Sequence, residues 1–309
     1  MTQAHANGKV ILFGEHAVVY GQPAIAVPVS QVGVTVTLEP ISGDSRVISN
    51  LIGRDAQVSA LPPTDPVKAL LAAFSQKTGA NPNHGLQIEI TSTIPVASGL
   101  GSGAAVSIAV LRALNIHFST NLDQEAVNNL AYEIEKIHHG TPSGIDNSVI
   151  AFGKPVYFIK GRQIETLKPA VPLEFLIGDT GINAPTSQSV GDVRVLAQNH
   201  PDMIQPLIEQ IGQVTRDAKT CIENGSIEKL GKLMDTNHQL LQNLTVSCSE
   251  LDRLVDAATK SGAIGAKLSG GGRGGNMIAL VSPQDADKVR QALLGAGAKA
   301  VYGTTVTPL

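Results

Sequence analysis

The stretch that decides how this chain is read is residues 95–105, "PVASGLGSGAA". Gly99, Gly101 and Gly103 fall inside it, and small, helix-favouring residues follow in "AAVSIAVLRAL" (104–114). A glycine loop that opens into a helix presents backbone N–H groups at the positive end of the helix dipole, and glycine lets an oxyanion approach the backbone closely. The same composition also makes an ordinary packing turn. No segment fits the Gly-x-x-x-x-Gly-Lys-Ser/Thr phosphate loop. Gly99, Gly101 and Ala104 satisfy Gly-x-Gly-x-x-Gly/Ala, but "STIPVAS" separates them from the thread of the preceding strand, and no acidic strand end follows about 20 residues on, as a dinucleotide site requires. Gly270, Gly272 and Gly275 repeat the spacing ahead of "NMIALVS", which reads as a strand where that motif needs a helix.

On either side of this stretch the pattern alternates between strands and helices. "GKVILF" (8–13) reads as a short buried strand, and "VGVTVTLE" (32–39) and "GLQIEITS" (85–92) alternate apolar and polar as half-exposed strands do. Residues 41–65 read as loops around weak strands, and "PVKALLAAFSQKTG" (66–79) as a helix stopped by Gly79. A further helix spans 121–140, with Asn121 as its cap, Gln124 three residues on, and Gly140 as its stop. "TPSGIDNSVIAFG" (141–153) reads as turn-rich, and 154–167 as a hairpin. A second region begins near 170: a strand at 173–181, helices from about 188 to 262, a strand in "AIGAKLS", the run "GGGRGGN", then strand, helix and strand to the end. The chain reads as two α+β domains, 1–170 and 171–309.

Bulk properties narrow the class. Of 309 residues 42% are hydrophobic and 16% charged, a globular composition with enough apolar surface for a core. The net charge of −3 argues against a nucleic-acid partner, which would need a basic face, but leaves room for a small anionic ligand. Cys221 and Cys248 have no metal-ligand or redox spacing. The start of the chain has only a short apolar run, so neither a signal peptide nor a membrane contact is expected and the expected compartment is the cytoplasm.

Several polar residues stand where chemistry could use them. Lys9 opens a buried-looking strand, where lysine requires a partner or a route to water. Glu15 and His16 follow that strand in "FGEHAVVYG". Glu135 sits near a helix end, and one carboxylate is the kind of ligand Mg²⁺ takes. Asp146 lies in "GTPSGIDNS", either as a general base or as a plain turn-forming acid. Together these make the parts of a phosphoryl-transfer site: a phosphate cradle, a lysine, a metal carboxylate and a base.

These motifs resemble those of the GHMP kinase family (galactokinase, homoserine kinase, mevalonate kinase, phosphomevalonate kinase), and the resemblance runs over nearly the whole chain. "PVASGLGSGAA" is similar to the family's phosphate loop P-x-x-x-G-L-G-S-S-A-A, and "KLSGGGRGGNMIALV" (267–281) to its C-terminal glycine motif. "KVILFGEHAVVYGQPAIAVPV" (9–29) and "EKIHHGTPSGIDNSV" (135–149) resemble the family members that act on mevalonate. The resemblance implies a two-domain GHMP kinase fold of the α+β class. Its N-terminal domain would be ribosomal-S5-like, with a left-handed βαβ unit, and its C-terminal domain ferredoxin-like.

It also implies that ATP, with Mg²⁺, and mevalonate meet in a cleft between the domains for isoprenoid synthesis, in a homodimer. Asp146 would be the catalytic base and Lys9 its partner at the reacting oxygens. Pro95, Val96, Ala97, Ser98, Gly99, Leu100, Gly101, Ser102, Gly103, Ala104 and Ala105 would bind ATP. Glu15, His16 and Thr186 would bind mevalonate; Thr186 falls in "TGINAPTSQSVGDVR" (180–194), where animal members carry an arginine at the place of Ala184. Glu135 and Ser102 would hold Mg²⁺. Two residues depart from the pattern: Gly103 stands where the family commonly has a second metal-binding serine, and Arg273 interrupts an otherwise small-residue run.

Overall fold

The computed structural model describes residues 1–95, 99–139 and 143–308. β1 (Thr2–Phe13) is half-exposed at its start and buried on both faces from Gly8 onward, as its continuous apolar run dictates. β2 (Ala24–Asp44) is far longer than the alternating segment read from sequence. Pro28 and the polar pair Ser30–Gln31 interrupt its apolar pattern without ending the strand.

The chain divides into two compact units. The first comprises Met1–Gly8, Val32–Val96 and Gly101–Gly153; the second comprises Lys9–Gln31, Ala97–Leu100 and Lys154–Leu309. This division differs from a single cut near residue 170, because β1 and β2 each begin in one unit and end in the other.

In the first unit, β3 (Arg46–Ser49) and β4 (Arg54–Gln57) form an antiparallel pair, the weak strands expected among the loops of 41–65. α1 (Pro66–Thr78) follows, then β5 (His84–Ser92), which runs parallel to β3 and antiparallel to β2. The register sets Val36 opposite Ile90 and Leu38 opposite Ile88, so one face of this sheet is apolar and buried. Local chemistry fixes α1: the Asp65 carboxylate accepts from the N–H groups of Val67 (2.9 Å) and Lys68 (3.3 Å), Pro66 opens the first turn, and Gly79 closes the helix in the left-handed region.

Three further helices pack on one another: α2 (Ser102–Phe118), α3 (Gln124–His139) and α4 (Ile145–Phe152). Asp123, not Asn121, caps α3; its Oδ1 accepts from the Ala126 N–H at 2.7 Å, while Asn121 turns the chain at φ 55°. The segment read as turn-rich is instead a helix from Ile145. Gly144 at φ 86° makes the corner that starts it, and Ser148 Oγ donates back to Gly144 O at 2.6 Å. The expected helix stop at Gly140 lies outside the described residues.

In the second unit, β6 (Val156–Phe158) and β7 (Glu165–Thr166) form the expected hairpin, and β6 pairs with Ala24–Ala26 of β2. β8 (Leu173–Asp179) leads to α5 (Thr186–Asn199), α6 (Pro201–Asn224), α7 (Ile227–Asn243) and α8 (Ser249–Lys260). Then come β9 (Gly265–Ser269), β10 (Asn276–Val281), α9 (Ala286–Gly295) and β11 (Ala300–Val306). The sheet order β11-β8-β10-β9, antiparallel throughout, is the ferredoxin-like βαββαβ arrangement with extra helices in its first crossover. Among the described residues no helix is long and apolar enough to cross a membrane.

Candidate active site

The glycine loop enters α2 through Gly101, whose φ of 77° favours glycine. Among the described residues no side chain caps this helix, and its first turn carries no acidic residue. The positive end of the helix dipole favours an anion there. Ser102 and Gly103 border a cavity of about 190 Å³ in the first unit, walled by Ile52, Val67 and Leu70 with Arg54 at its lining. A Cβ built on Gly103 meets nothing within 4 Å, and its φ is not positive, so packing does not impose a glycine there. Val96, Ala97 and Ser98 of the expected ATP loop lie outside the described residues.

Glu135 and Asp146 belong to the same unit as Ser102, Gly103, Ala104 and Ala105. Glu135 is half-buried on α3, and Asp146 is half-buried in the first turn of α4, where the helix dipole favours a carboxylate. Their supports are firm: Asn147 Nδ2 donates to Asn128 Oδ1 at 2.6 Å, fastening α4 to α3 beside Asp146. Glu135 and Ser102 offer hard oxygen donors, which suit Mg²⁺; that ion keeps several waters and needs no all-protein cage. Among the described residues no group of three or more His, Cys, Asp or Glu side chains is placed to hold a metal.

The second unit assembles the remaining residues around its two glycine segments. Lys9 is buried, and its backbone N–H donates to Leu100 O at 3.0 Å, tying the lysine strand to the glycine loop. Ser269 Oγ donates to Ile11 O at 2.7 Å, tying the same strand to the end of β9. Glu15 turns inward. Its Oε1 accepts from Lys267 Nζ, and its Oε2 accepts from Asn237 Nδ2 at 3.1 Å. Both charged side chains are 0% exposed. Burial pulls the Lys267 ammonium below its ordinary value, and Glu15 opposes that pull.

His16 sits beside this pair at φ 60°, an uncommon conformation for a histidine. Its Nε2 lies 3.1 Å from Gly271 O. Burial, aided by the charge of Arg273, pushes the ring down to about 4. Gly271 is a close-approach position: a Cβ there would meet Ser189 Oγ at 2.9 Å and Thr186 Cα at 3.0 Å. His16 and Thr186 therefore flank one glycine, although 170 positions separate them in the chain. Arg273, also at positive φ, forms an ion pair with Asp192 of α5.

Lys267, Asn237 and Asp192 are the site-adjacent residues that sequence reading missed. Lys267 carried a usable signal, a lysine between apolar neighbours in a strand ("AKL"), the same signal that singled out Lys9. Asn237 and Asp192 lie on helices among other polar residues and carried none.

A family model for the N-terminal domain of GHMP kinases matches residues 65–154, and one for the C-terminal domain of GHMP kinases matches residues 218–299. The chain is 34% identical over 322 residues to a mevalonate kinase of Thermococcus gammatolerans, covering 95% of this chain and 93% of that protein. It is 35% identical over 319 residues to a mevalonate kinase of Pyrococcus furiosus, again covering 95% and 93%. Among solved structures, the mevalonate kinase of L. major in complex with R-mevalonate matches with a TM-score of 0.87 at 30% identity, covering 100% of this chain and 96% of that one.

Proposed function

This chain belongs to the GHMP kinase family, and we propose that it transfers the γ-phosphoryl group of ATP to the C5 hydroxyl of mevalonate, giving 5-phosphomevalonate for isoprenoid synthesis. The observation that carries the substrate assignment is the likeness to mevalonate kinases along 95% of the chain. The roles follow from the chemistry each position offers. The N-terminus of α2 and the glycine loop cradle the phosphates, and the cavity beside Ser102 and Gly103 takes the nucleoside end. Asp146 accepts the C5 hydroxyl proton as the phosphoryl group arrives. Lys9 offsets the negative charge on the reacting oxygens. Glu135, Ser102 and water would hold Mg²⁺, which would supply charge neutralisation on the transferring phosphates. His16 and Thr186 contact mevalonate beside Gly271. Glu15, both of whose carboxylate oxygens are engaged by Lys267 and Asn237, serves the mevalonate pocket by holding the Gly14–His16 corner in place.

A cytoplasmic homodimer suits this reading, and both cysteines are free thiols, in keeping with that compartment. The test of the base assignment is Asp146→Asn, measured by coupled ADP release and by ATP titration. Turnover should fall by about 10²–10⁴-fold, the usual worth of a general base, with ATP affinity little changed. A fully active variant would refute it.

A further inference from the structure

The cavity beside Ser102 and Gly103 lies wholly within the first unit. One face of the sheet forms part of its wall. Register sets Arg54 of β4 opposite Ser49 of β3, and Ser49 beside Ile90 of β5, so these three side chains share a face, and all three line the cavity. Val67 and Leu70 of α1 and Ser107 of α2 belong to the same wall. Ser49 and Ser107 are each 6% exposed, so both hydroxyls are withdrawn from bulk solvent. Arg54 is anchored at the foot of α1. Its Nη2 lies 2.8 Å from Asp65 Oδ2, while Asp65 Oδ1 caps that helix.

Among the described residues Arg54 is the one charged side chain on this wall, and no Asp, Glu, Asn or Gln side chain lines it. A guanidinium has five N–H donors and no acceptor, so the ion pair with Asp65 leaves donors over. A serine hydroxyl donates or accepts. The polar chemistry of the wall therefore favours acceptor atoms on a ligand. We propose that Arg54 reads the nucleotide base through purine N7, and that GTP serves this chain as a phosphoryl donor alongside ATP. This rests on the reading above in which the cavity takes the nucleoside end. Adenine and guanine both present N7 as an acceptor; beside it adenine carries an amino donor and guanine the O6 acceptor. Arginine matches N7 with O6, whereas the side chain that selects adenine is an Asn or Gln amide. Serine hydroxyls suit either base. The transfer itself is unchanged: the γ-phosphoryl group passes from GTP to the C5 oxygen of mevalonate, GDP leaves, and the hydroxyl proton goes to Asp146.

The test supplies mevalonate and Mg²⁺ with ATP, GTP or 7-deaza-ATP, in which a C–H replaces N7, and measures phosphorylated mevalonate so that the readout is independent of the base. With wild type, kcat/KM for GTP should lie within about tenfold of that for ATP. Wild type should favour ATP over 7-deaza-ATP by about tenfold, and by no less than about threefold, the range for losing one hydrogen bond to a charged donor. That preference should appear in the KM for the nucleotide with kcat little changed, because the base is remote from the reacting atoms. Arg54→Met should use ATP and 7-deaza-ATP to within about threefold of each other, with the KM for mevalonate unchanged. An arginine that served the fold alone would weaken every nucleotide alike and leave the N7 preference standing. The two wild-type comparisons need no variant, so the test holds even if Arg54→Met fails to fold without the partner of Asp65.

GTP poorer than ATP by more than about tenfold, wild-type use of 7-deaza-ATP to within about threefold of ATP, or an N7 preference that persists in Arg54→Met would each overturn the proposal while leaving the mevalonate reading intact. Phosphorylation of mevalonate with none of the three nucleotides would overturn the mevalonate reading, and this one with it.

Discussion

Replacing Lys267 with methionine removes one half of an ion pair whose two side chains are 0% exposed. The Glu15 carboxylate would then remain buried, with Asn237 Nδ2 as its remaining hydrogen-bond donor from this cluster. Breaking a buried pair on one side costs about 3–5 kcal/mol, mostly because the surviving charge is left uncompensated. Lys267 Nζ also donates to Leu268 O at 2.6 Å, so that carbonyl loses a donor as well. In urea, with a denaturant slope of about 2 kcal/mol/M, the midpoint should fall by about 2 M. Replacing Glu15 with glutamine in the same chain removes the stranded charge, and the double variant should recover to within about 2 kcal/mol of wild type, because apolar or neutral replacements of buried pairs are often tolerated. The assay is urea unfolding of the four proteins of the cycle, followed by far-UV circular dichroism. A loss below about 1 kcal/mol in Lys267→Met, or a double variant as unstable as the sum of the singles, refutes the reasoning.

Two further predictions concern Mg²⁺ and pH. Gly103→Ser should tighten apparent Mg²⁺ affinity in a titration of activity, because the position has room for a Cβ and the new hydroxyl is a hard donor beside Ser102; unchanged affinity would mean the glycine costs no ligand. Folding stability should decline as pH falls below 6.5, because the unfolded chain takes up a proton on His16 that the folded ring refuses until about pH 4. That interval corresponds to about 3 kcal/mol, with His238, also held low by burial, adding in the same direction. Above pH 6.5 both states are neutral and His16 contributes no pH dependence, so denaturation midpoints that stay constant from pH 7 to pH 4.5 would contradict the assignment.

The parts of the fold set by local chemistry were legible in the sequence. α1 announces itself through Asp65, Pro66 and Gly79, and all three act at its ends. β5 follows from alternation, and the β6–β7 hairpin lies in the segment read as one. Where longer-range contacts decide, the sequence misled. α4 begins after Pro142, Ser143 and Gly144, a turn-like signature, yet its buried face of Ile145, Val149 and Ile150 makes it a helix. β2 continues through Pro28 because pairing on either side sustains it, with Ala24–Ala26 bound to β6 and Val34 onward bound to β5.

For the candidate site, residue types and spacing singled out the glycine loop, Lys9, Glu135 and Asp146 as candidates. They could not reveal that Glu15 faces a buried lysine 252 positions away, that Gly271 brings His16 and Thr186 together, or that Arg273 pairs with Asp192. Those contacts depend on how α5, α7 and β9 pack, which single-sequence periodicity does not encode.

The most direct test of the central claim is ADP release from the intact chain with ATP and Mg²⁺ against mevalonate, phosphomevalonate, homoserine and galactose in parallel. The account predicts turnover with mevalonate far above the other three. No turnover with mevalonate, or faster turnover with any of the others, would contradict it.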